Sequence, residues 1–359
     1  MVEGKCMYMC PESERNLREL QRRLHPFEIV KGTEKTKRPS ADPDATVKEY
    51  SRPAAGKAEV IPSDLRPPKV LFKTWSYLVD KILSKNDISY LARYNFVFDR
   101  LRSIRQDAVI QRSEEPEIIT ILEQAIRFHH LSSYRLCEQS MGDFDTKICN
   151  DHMNECLSRL LLFYQFYPNL CRNQVEFQSL YLLCNLGSTN AAMHILSLPV
   201  KIRKHPRIQL ALHLNRAYLE HNFVRFIRLI EKCNYIESCA LLKYRTSFLI
   251  LSLETMNTAY HSKVLTFPAC VLSNWLGFDS AHQALCFCQE CGLTIKDNSV
   301  CFTKGAMKER SKMKHKRTFS QKFVDCKLKK RSPPDIIRGL EININETEKP
   351  PVDMWNYVN

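Results

Sequence analysis

From residue 70 to residue 262 one segment with helix-period apolar residues follows another, separated only by short turn signals, and this run limits what the chain can fold into. The segments are 70–85, 88–112, 115–141, 146–167, 174–186, 189–198, 206–219, 222–232 and 236–262, with breaks at Asn86-Asp87, Glu115-Pro116, Gly142-Asp143, Pro168-Asn169, Gly187-Ser188, Pro199 and Asn234. Helices joined by short turns predict an all-α stacked solenoid. The tetratricopeptide pattern does not recur at its 34-residue period, so the solenoid is expected to be irregular. The most regular helix is 93–111, where Tyr94, Val97, Phe98, Leu101, Ile104 and Ala108 make one buried stripe. Asn95, Asp99, Arg102, Ser103 and Gln106 are expected on an opposite, solvated side, with Asp99 meeting Arg102 or Ser103. Arg100, Arg102 and Arg105 spread around the cylinder and read as ion-pairing residues rather than an RNA stripe.

The flanks read differently. Pro11, Glu12 and Glu14 open a first helix over 11–24, since proline needs no donor there and acids complement the helix N-terminus. Residues 31–68 hold six of the 17 prolines and little apolar periodicity, which predicts an extended strap. At the other end, 266–276 and 279–291 read as short helices joined at Gly277-Phe278, with Asp279 or Ser280 as N-cap. Gly292 suits a helix C-terminus, and 293–303 alternates around Asp297-Asn298 as a hairpin would. Helix, turn, helix, hairpin is a winged helix. The expected organisation is therefore an N-terminal helix and strap over 1–69, a solenoid over 70–265, a winged helix over 266–303, and a basic segment and tail over 304–359. In that tail Leu340 to Ile344 is the one candidate strand.

Several function classes recede. Only 9 of 359 residues are glycine and no phosphate-cradling glycine loop is present, which disfavours nucleotide enzymes. No HExxH, GxSxG or paired histidine and carboxylate pattern appears, so neither an enzyme nor a cofactor is expected. The 15 cysteines are odd in number and scattered through helical text, as free thiols of the cytosol or nucleus are. Cys286, Cys288, Cys291 and Cys301 invite a zinc reading. A CxC pair in a helix, however, points its side chains about 200° apart and cannot close one tetrahedral site. Cys6 and Cys10 with His25 lack a CxxC partner pair, and His129-His130 reads as helix surface rather than ligand. The N-terminus has no signal-like apolar run and no stretch approaches 18 apolar residues, so neither secretion nor a membrane span is expected.

The net charge of +14 is local. Residues 304–331 hold twelve Lys or Arg against Glu309 and Asp325, leaving +4 for the rest of the chain. Lys304, Lys308, Arg310, Lys312, Lys314, Lys316 and Arg317 directly follow the wing and are the candidate nucleic-acid-binding residues, through salt-dependent phosphate contact. Two other readings share that text: an import signal at Lys314–Arg317 and Lys327–Arg331, or a solvated tail.

The run RYNFVFDRLRSIRQDAVIQ at 93–111 resembles the signature of the SAC domain, the domain of germinal-centre-associated nuclear protein and of the yeast messenger RNA export scaffold. Further family-like text follows the family's order: GKCMYMCPESER at 4–15, VKEYSRPAAGK at 47–57, DLRPPKVLFKTWSYLVDKI at 64–82 and EQAIRFHHLSSYRLCEQ at 123–139. VEFQSLYLLCNLGS at 175–188 and FPACVLSNWLGFDSAHQALCFCQECGL at 267–293 complete it. The resemblance implies a strap laid across a helical body and a terminal winged helix that docks beside that of a PCI-domain protein. It also implies a small acidic proteasome-lid-type subunit as companion, RNA on the joint surface, and a place in nuclear messenger RNA processing and export. The family's export scaffolds carry nucleoporin-like repeats before the domain and a centrin-binding helix after it. These 359 residues contain neither, which resembles more the short members connected with centrosome duplication and the spindle. A cytoskeletal role with centrosomal or microtubule partners, at the centrosome or in the cytoplasm, is the alternative.

Overall fold

The structure, a computed structural model, describes residues 2–52, 61–168, 172–309 and 317–340. After α1 (Glu12–Leu20), the solenoid is built from α2 (Pro68–Tyr77), α3 (Tyr90–Ile110), α4 (Pro116–Arg135), α5 (Thr146–Phe166), α6 (Gln174–Cys184), α7 (Thr189–Ser197), α8 (Val200–Arg203), α9 (Pro206–Leu219), α10 (Phe223–Glu231) and α11 (Tyr235–Ala259). The winged helix follows as β1 (Phe267–Pro268), α12 (Ala269–Leu276), α13 (Ala281–Glu290), β2 (Thr294–Lys296) and β3 (Ser299–Cys301), and α14 (Pro333–Arg338) comes last. The fold is an all-α irregular solenoid ending in a small winged helix.

The helix starts are written locally. Pro68, Pro116 and Pro206 each open a helix where no donor is needed. Ser89, Asp145, Ser188 and Asn222 accept backbone N–H groups as caps, and Asn234 with Glu237 forms a capping box for α11. α4 packs on α2, α5 and α11, and α6 on α9 and α11, around a core that includes Trp75, Phe128, Leu131, Tyr164, Phe177, Leu214 and Phe226. Two short elements escaped the periodicity. α8 has only four residues, behind Pro199, and α2 runs on into a π-helical turn at Leu78–Ile82.

Of the side of α3 expected to be solvated, Asn95 is exposed and Asp99, Arg102 and Gln106 are half-buried, while Ser103 is buried. Tyr94, Val97, Leu101, Ile104 and Ala108 do face the core, but Arg100, Ser103 and Asp107 are also buried, beneath the N-terminal strap. Asp107 is fully buried and accepts from Arg66 Nε at 2.7 Å and Lys48 Nζ at 2.7 Å, while Arg66 Nη2 donates to Ser103 at 2.9 Å. One turn on, Gln111 accepts from Gly4 N at 2.9 Å and donates to Arg66 O at 2.8 Å. At the other end of the stripe Glu28, fully buried, takes Arg18 and Arg100 together with the backbone N–H of Val47. Burial pulls the Arg100 pKa down, yet Glu28, Asp99 and Glu49 outweigh it and leave it raised. Asp99 meets Arg100 and the Tyr50 N–H rather than Arg102, whose guanidinium lies 3.7 Å from the Tyr50 ring centroid. Arg105 pairs with Glu155 of α5 at 2.6 Å. Arg100 and Arg105 thus ion-pair as expected, and Arg102 stacks on Tyr50 of the strap.

A second strap also packs on the solenoid. Residues 317–340 fold back over α4, α10 and α11, with Val324, Ile336 and Ile337 buried in the solenoid core. Lys327 Nζ donates to Ile230 O at 2.6 Å and Ser238 Oγ at 2.7 Å, and Arg127 Nη1 donates to Ile337 O at 3.3 Å. Ser332 and Asp335 form the capping box of α14, and Arg338 pairs with Asp80. Of the candidate strand, only Leu340 lies among the described residues; it is exposed and outside any strand.

Candidate nucleic-acid and partner interface

The sheet of the winged helix has the order β1-β3-β2, with Phe267 opposite Val300 and Ile295 opposite Val300 on the other side. Asp297 and Asn298 turn the wing at φ 43° and 57°, values that Asp and Asn tolerate in two-residue hairpins. Its core of Leu272, Leu276, Phe278, Ala284, Cys288, Leu293, Val300 and Phe302 is continuous with Leu249, Leu253 and Met256 of α11. The last turns of the solenoid thus form one wall of the winged helix. Ser280, not Asp279, caps α13, accepting from Gln283 N at 3.1 Å. Asp279 accepts instead from Ser320 Oγ at 3.1 Å, Gln321 N at 3.0 Å and Lys322 N at 2.7 Å, so it seizes the returning chain. No local signal in the sequence distinguishes those two roles, because the partners lie some forty residues away.

α13 presents His282, Cys286, Gln289 and Glu290 to solvent and carries no lysine or arginine. Across 266–303 there are three acids, Asp279, Glu290 and Asp297, against Lys296 alone. The helix that a winged helix would offer to a groove is therefore not basic. The cations belong to the segment that follows. Lys304 and Lys308 are exposed, and Lys308 is fastened by its N–H to Cys291 O at 2.9 Å and by Nζ to Glu290 O at 3.0 Å. Gly292, at φ 96°, permits this crossing, because a Cβ there would lie 2.7 Å from Ala306 O. Arg310, Lys312, Lys314 and Lys316 lie outside the described residues. Arg317 is half-buried against the solenoid rather than free on the surface. The described chain thus leaves the C-terminal end of α13 at Lys308 and is held again at its N-terminal end by Asp279 and Ser320. In the second basic cluster, Lys327 is held inside and Arg331 donates to Leu328 O and Lys327 O, so that Lys329 and Lys330 alone of its basic residues are solvent-facing.

Between α11 and β1 lies an apolar ledge. Val264 and Leu265 are 86% and 74% exposed, beside Tyr260, Phe267 and Trp275, whose rings meet at 5.4 to 6.5 Å. The loop is fixed: Ser262 N donates to Phe302 O at 2.9 Å, and Ser262 Oγ accepts from the N–H groups of Val264 and Leu265.

The metal candidates do not assemble. Among the described residues no group of three or more His, Cys, Asp or Glu is placed to hold an ion, and the fourteen described cysteines are free thiols. Among the described residues no helix is long and apolar enough to cross a membrane. His129 and His130, expected on a helix surface, are buried and face the thiols of Cys149 and Cys184, each 3.6 Å away. Burial lowers the His129 pKa far below its ordinary 6.5 and that of His130 to about 3. Both are neutral when folded and protonate once unfolded, so stability is complete above pH 6.5 and is lost as pH falls towards 3. We expect His130→Gln to remove about 2 kcal/mol of the loss between pH 7 and pH 5, read from urea midpoints. An identical pH slope in the variant would contradict this.

Helical solenoid, two straps and a terminal winged helix make up the architecture. The family model described as SAC3/GANP family matches residues 9–297, and the chain belongs to that family. SAC3 family protein 1 of Schizosaccharomyces pombe is 32% identical over 95% of this chain and 35% of its own length. Protein xmas of Drosophila melanogaster is 30% identical over 82% of this chain and 15% of its own, and SAC3 family protein B of Arabidopsis thaliana 28% over 78% and 17%. The chain spans about a third or less of these curated relatives.

Proposed function

We propose that this chain is a non-enzymatic scaffold of nuclear messenger RNA processing and export. It pairs with a PCI-domain protein, accompanied by a small acidic proteasome-lid-type subunit, through the ledge of the winged helix, and it touches RNA through the basic segment. The observation that carries this reading is the ledge. Two large aliphatic side chains held in solvent by a hydrogen-bonded loop, next to an aromatic cluster, have the make-up of an interface anchor rather than of a free surface. RNA contact is assigned to Lys304 through Arg317 and not to α13, because α13 offers no cation to phosphate.

Leu265→Glu tests the pairing. Leu265 makes no core contact in the isolated chain, so thermal stability should stay within a degree or two. Burying a carboxylate in the apolar contact should weaken copurification of a coexpressed PCI-domain partner by roughly ten-fold or more. Undiminished copurification would place the contact elsewhere.

A further inference from the structure

Residues 177–219 hold no aspartate or glutamate and five cations, Lys201, Arg203, Lys204, Arg207 and Arg216. Two of the five are neutralised: Arg207 pairs with Glu237 at 3.2 Å and Arg216 with Glu220 at 2.6 Å. Lys201 and Lys204 are exposed on α8, and no ion pair holds their ammonium groups among the described residues. Beside them lies an apolar face. α7 packs on α6 and buries Ala191 and Ile195, so helical spacing turns Met193 and Leu196 outward, where they are 62% and 48% exposed. Val200, the first residue of α8, is 52% exposed. The face is held in place. Arg203 Nη1 donates to Leu196 O at 2.8 Å and Gln209 Nε2 donates to Arg203 O at 2.8 Å, which fastens α8 to the end of α7 and to α9. His194 of α7 meets Gln178 Oε1 of α6 at 2.8 Å from behind. Three apolar side chains thus stand in water on an ordered ridge, with two unpaired ammonium groups at one end.

We infer that this ridge docks an acidic amphipathic helix of a partner protein. An apolar stripe recurring every three or four residues on that helix lies against Met193, Leu196 and Val200, with Met193 adapting its shape, and carboxylates beside the stripe meet Lys201 and Lys204. A nucleic acid fits less well, because none of the three side chains is an aromatic ring on which a base could stack and phosphate gains nothing from them. A second copy of this chain fits less well too, since a two-fold contact sets the lysines against their own equivalents. The inference needs neither the ledge at Val264 and Leu265 nor the RNA contact proposed above.

The test uses the full chain and a fluorescent peptide of about 18 residues, five helical turns, with leucine at every third or fourth position, glutamate on the other faces and alanine between. A twin peptide carries lysine in place of glutamate. Anisotropy should show saturable binding of the acidic peptide and binding about ten-fold weaker or less for its twin. Leu196→Glu and Val200→Glu should each weaken the acidic peptide about ten-fold or more, with melting unchanged because both side chains are exposed. Lys201→Glu combined with Lys204→Glu should weaken it comparably and flatten its salt dependence. Should Leu196→Glu melt early, the lysine pair decides, since both groups lie in solvent. Leu265→Glu should bind as the wild type does, which separates the ridge from the ledge. Equal binding by the wild type and the lysine-pair variant would overturn the inference, as would equal affinity for the two peptides or no binding of the acidic one. A lysine-pair variant that loses oligouridylate and keeps the acidic peptide would give the surface to RNA, and a wild-type dimer dissolved by Val200→Glu would give it to a second copy; either result overturns the inference.

Discussion

Asp107→Asn should destabilise the fold by about 3 to 5 kcal/mol, because it leaves two cations without their charge partner. Arg66 is fully buried, and its other hydrogen bonds, to Met9 O at 3.2 Å and Ser103 Oγ at 2.9 Å, bring no negative charge. Lys48 reaches Asp107 from the strap and is held besides by the Asp64 carbonyl at 2.6 Å. The loss falls on the joint between strap and solenoid, so limited proteolysis should cut the strap of the variant before the solenoid. Urea unfolding measures the magnitude, and Lys48→Met added to Asp107→Asn should recover part of the loss, since one unpaired cation is then gone. A change below about 1 kcal/mol would mean that the strap is held by its apolar contacts alone and that these cations rehydrate freely.

Removal of residues 317–340 should be as damaging, although composition marks much of that stretch as solvated. Phe323, Val324, Ile336 and Ile337 are all buried. At about 1.5 to 3 kcal/mol for each buried side chain, their loss amounts to roughly 6 kcal/mol or more before the released chain entropy is counted. Phe323 fits where Gly277 has no side chain: a Cβ at that glycine would come within 2.2 Å of its ring. Phe323→Ala alone should cost about 3 kcal/mol. We expect the truncated chain to aggregate and the chain with Arg310, Lys312, Lys314 and Lys316 changed to Gln to melt as the wild type does. Equal solubility of the two would contradict the packing of the second strap. RNA binding should therefore be probed by neutralising cations and not by deleting 304–331, which would also remove Phe323 and Val324.

The helical body was legible in the sequence because nine of its helices carry a one-sided apolar period or a strong cap, from Pro68 to Asn234. The winged helix was legible from Gly277, Gly292 and the Asp297-Asn298 turn, each of which fixes backbone geometry locally. What stayed hidden is non-local. The polar stripe of α3 reads as solvated until Lys48 and Arg66, some forty to sixty residues earlier, are brought onto Asp107. His129 and His130 look amphipathic until Cys149 and Cys184 close over them. Arg317 has the composition of a tail and is half-buried against the solenoid, and no periodicity distinguishes the two. The ledge at Val264 and Leu265 also escaped notice, since two aliphatic residues in a loop carry no pattern until their exposure is known.

The scaffold reading is tested most directly by affinity purification of the tagged chain from nuclear and mitotic extracts, with nuclease treatment and mass spectrometry. Recovery of a PCI-domain protein and a small acidic proteasome-lid-type subunit, both resistant to nuclease, is the expected result. Recovery of centrosomal or microtubule proteins without that pair would contradict it.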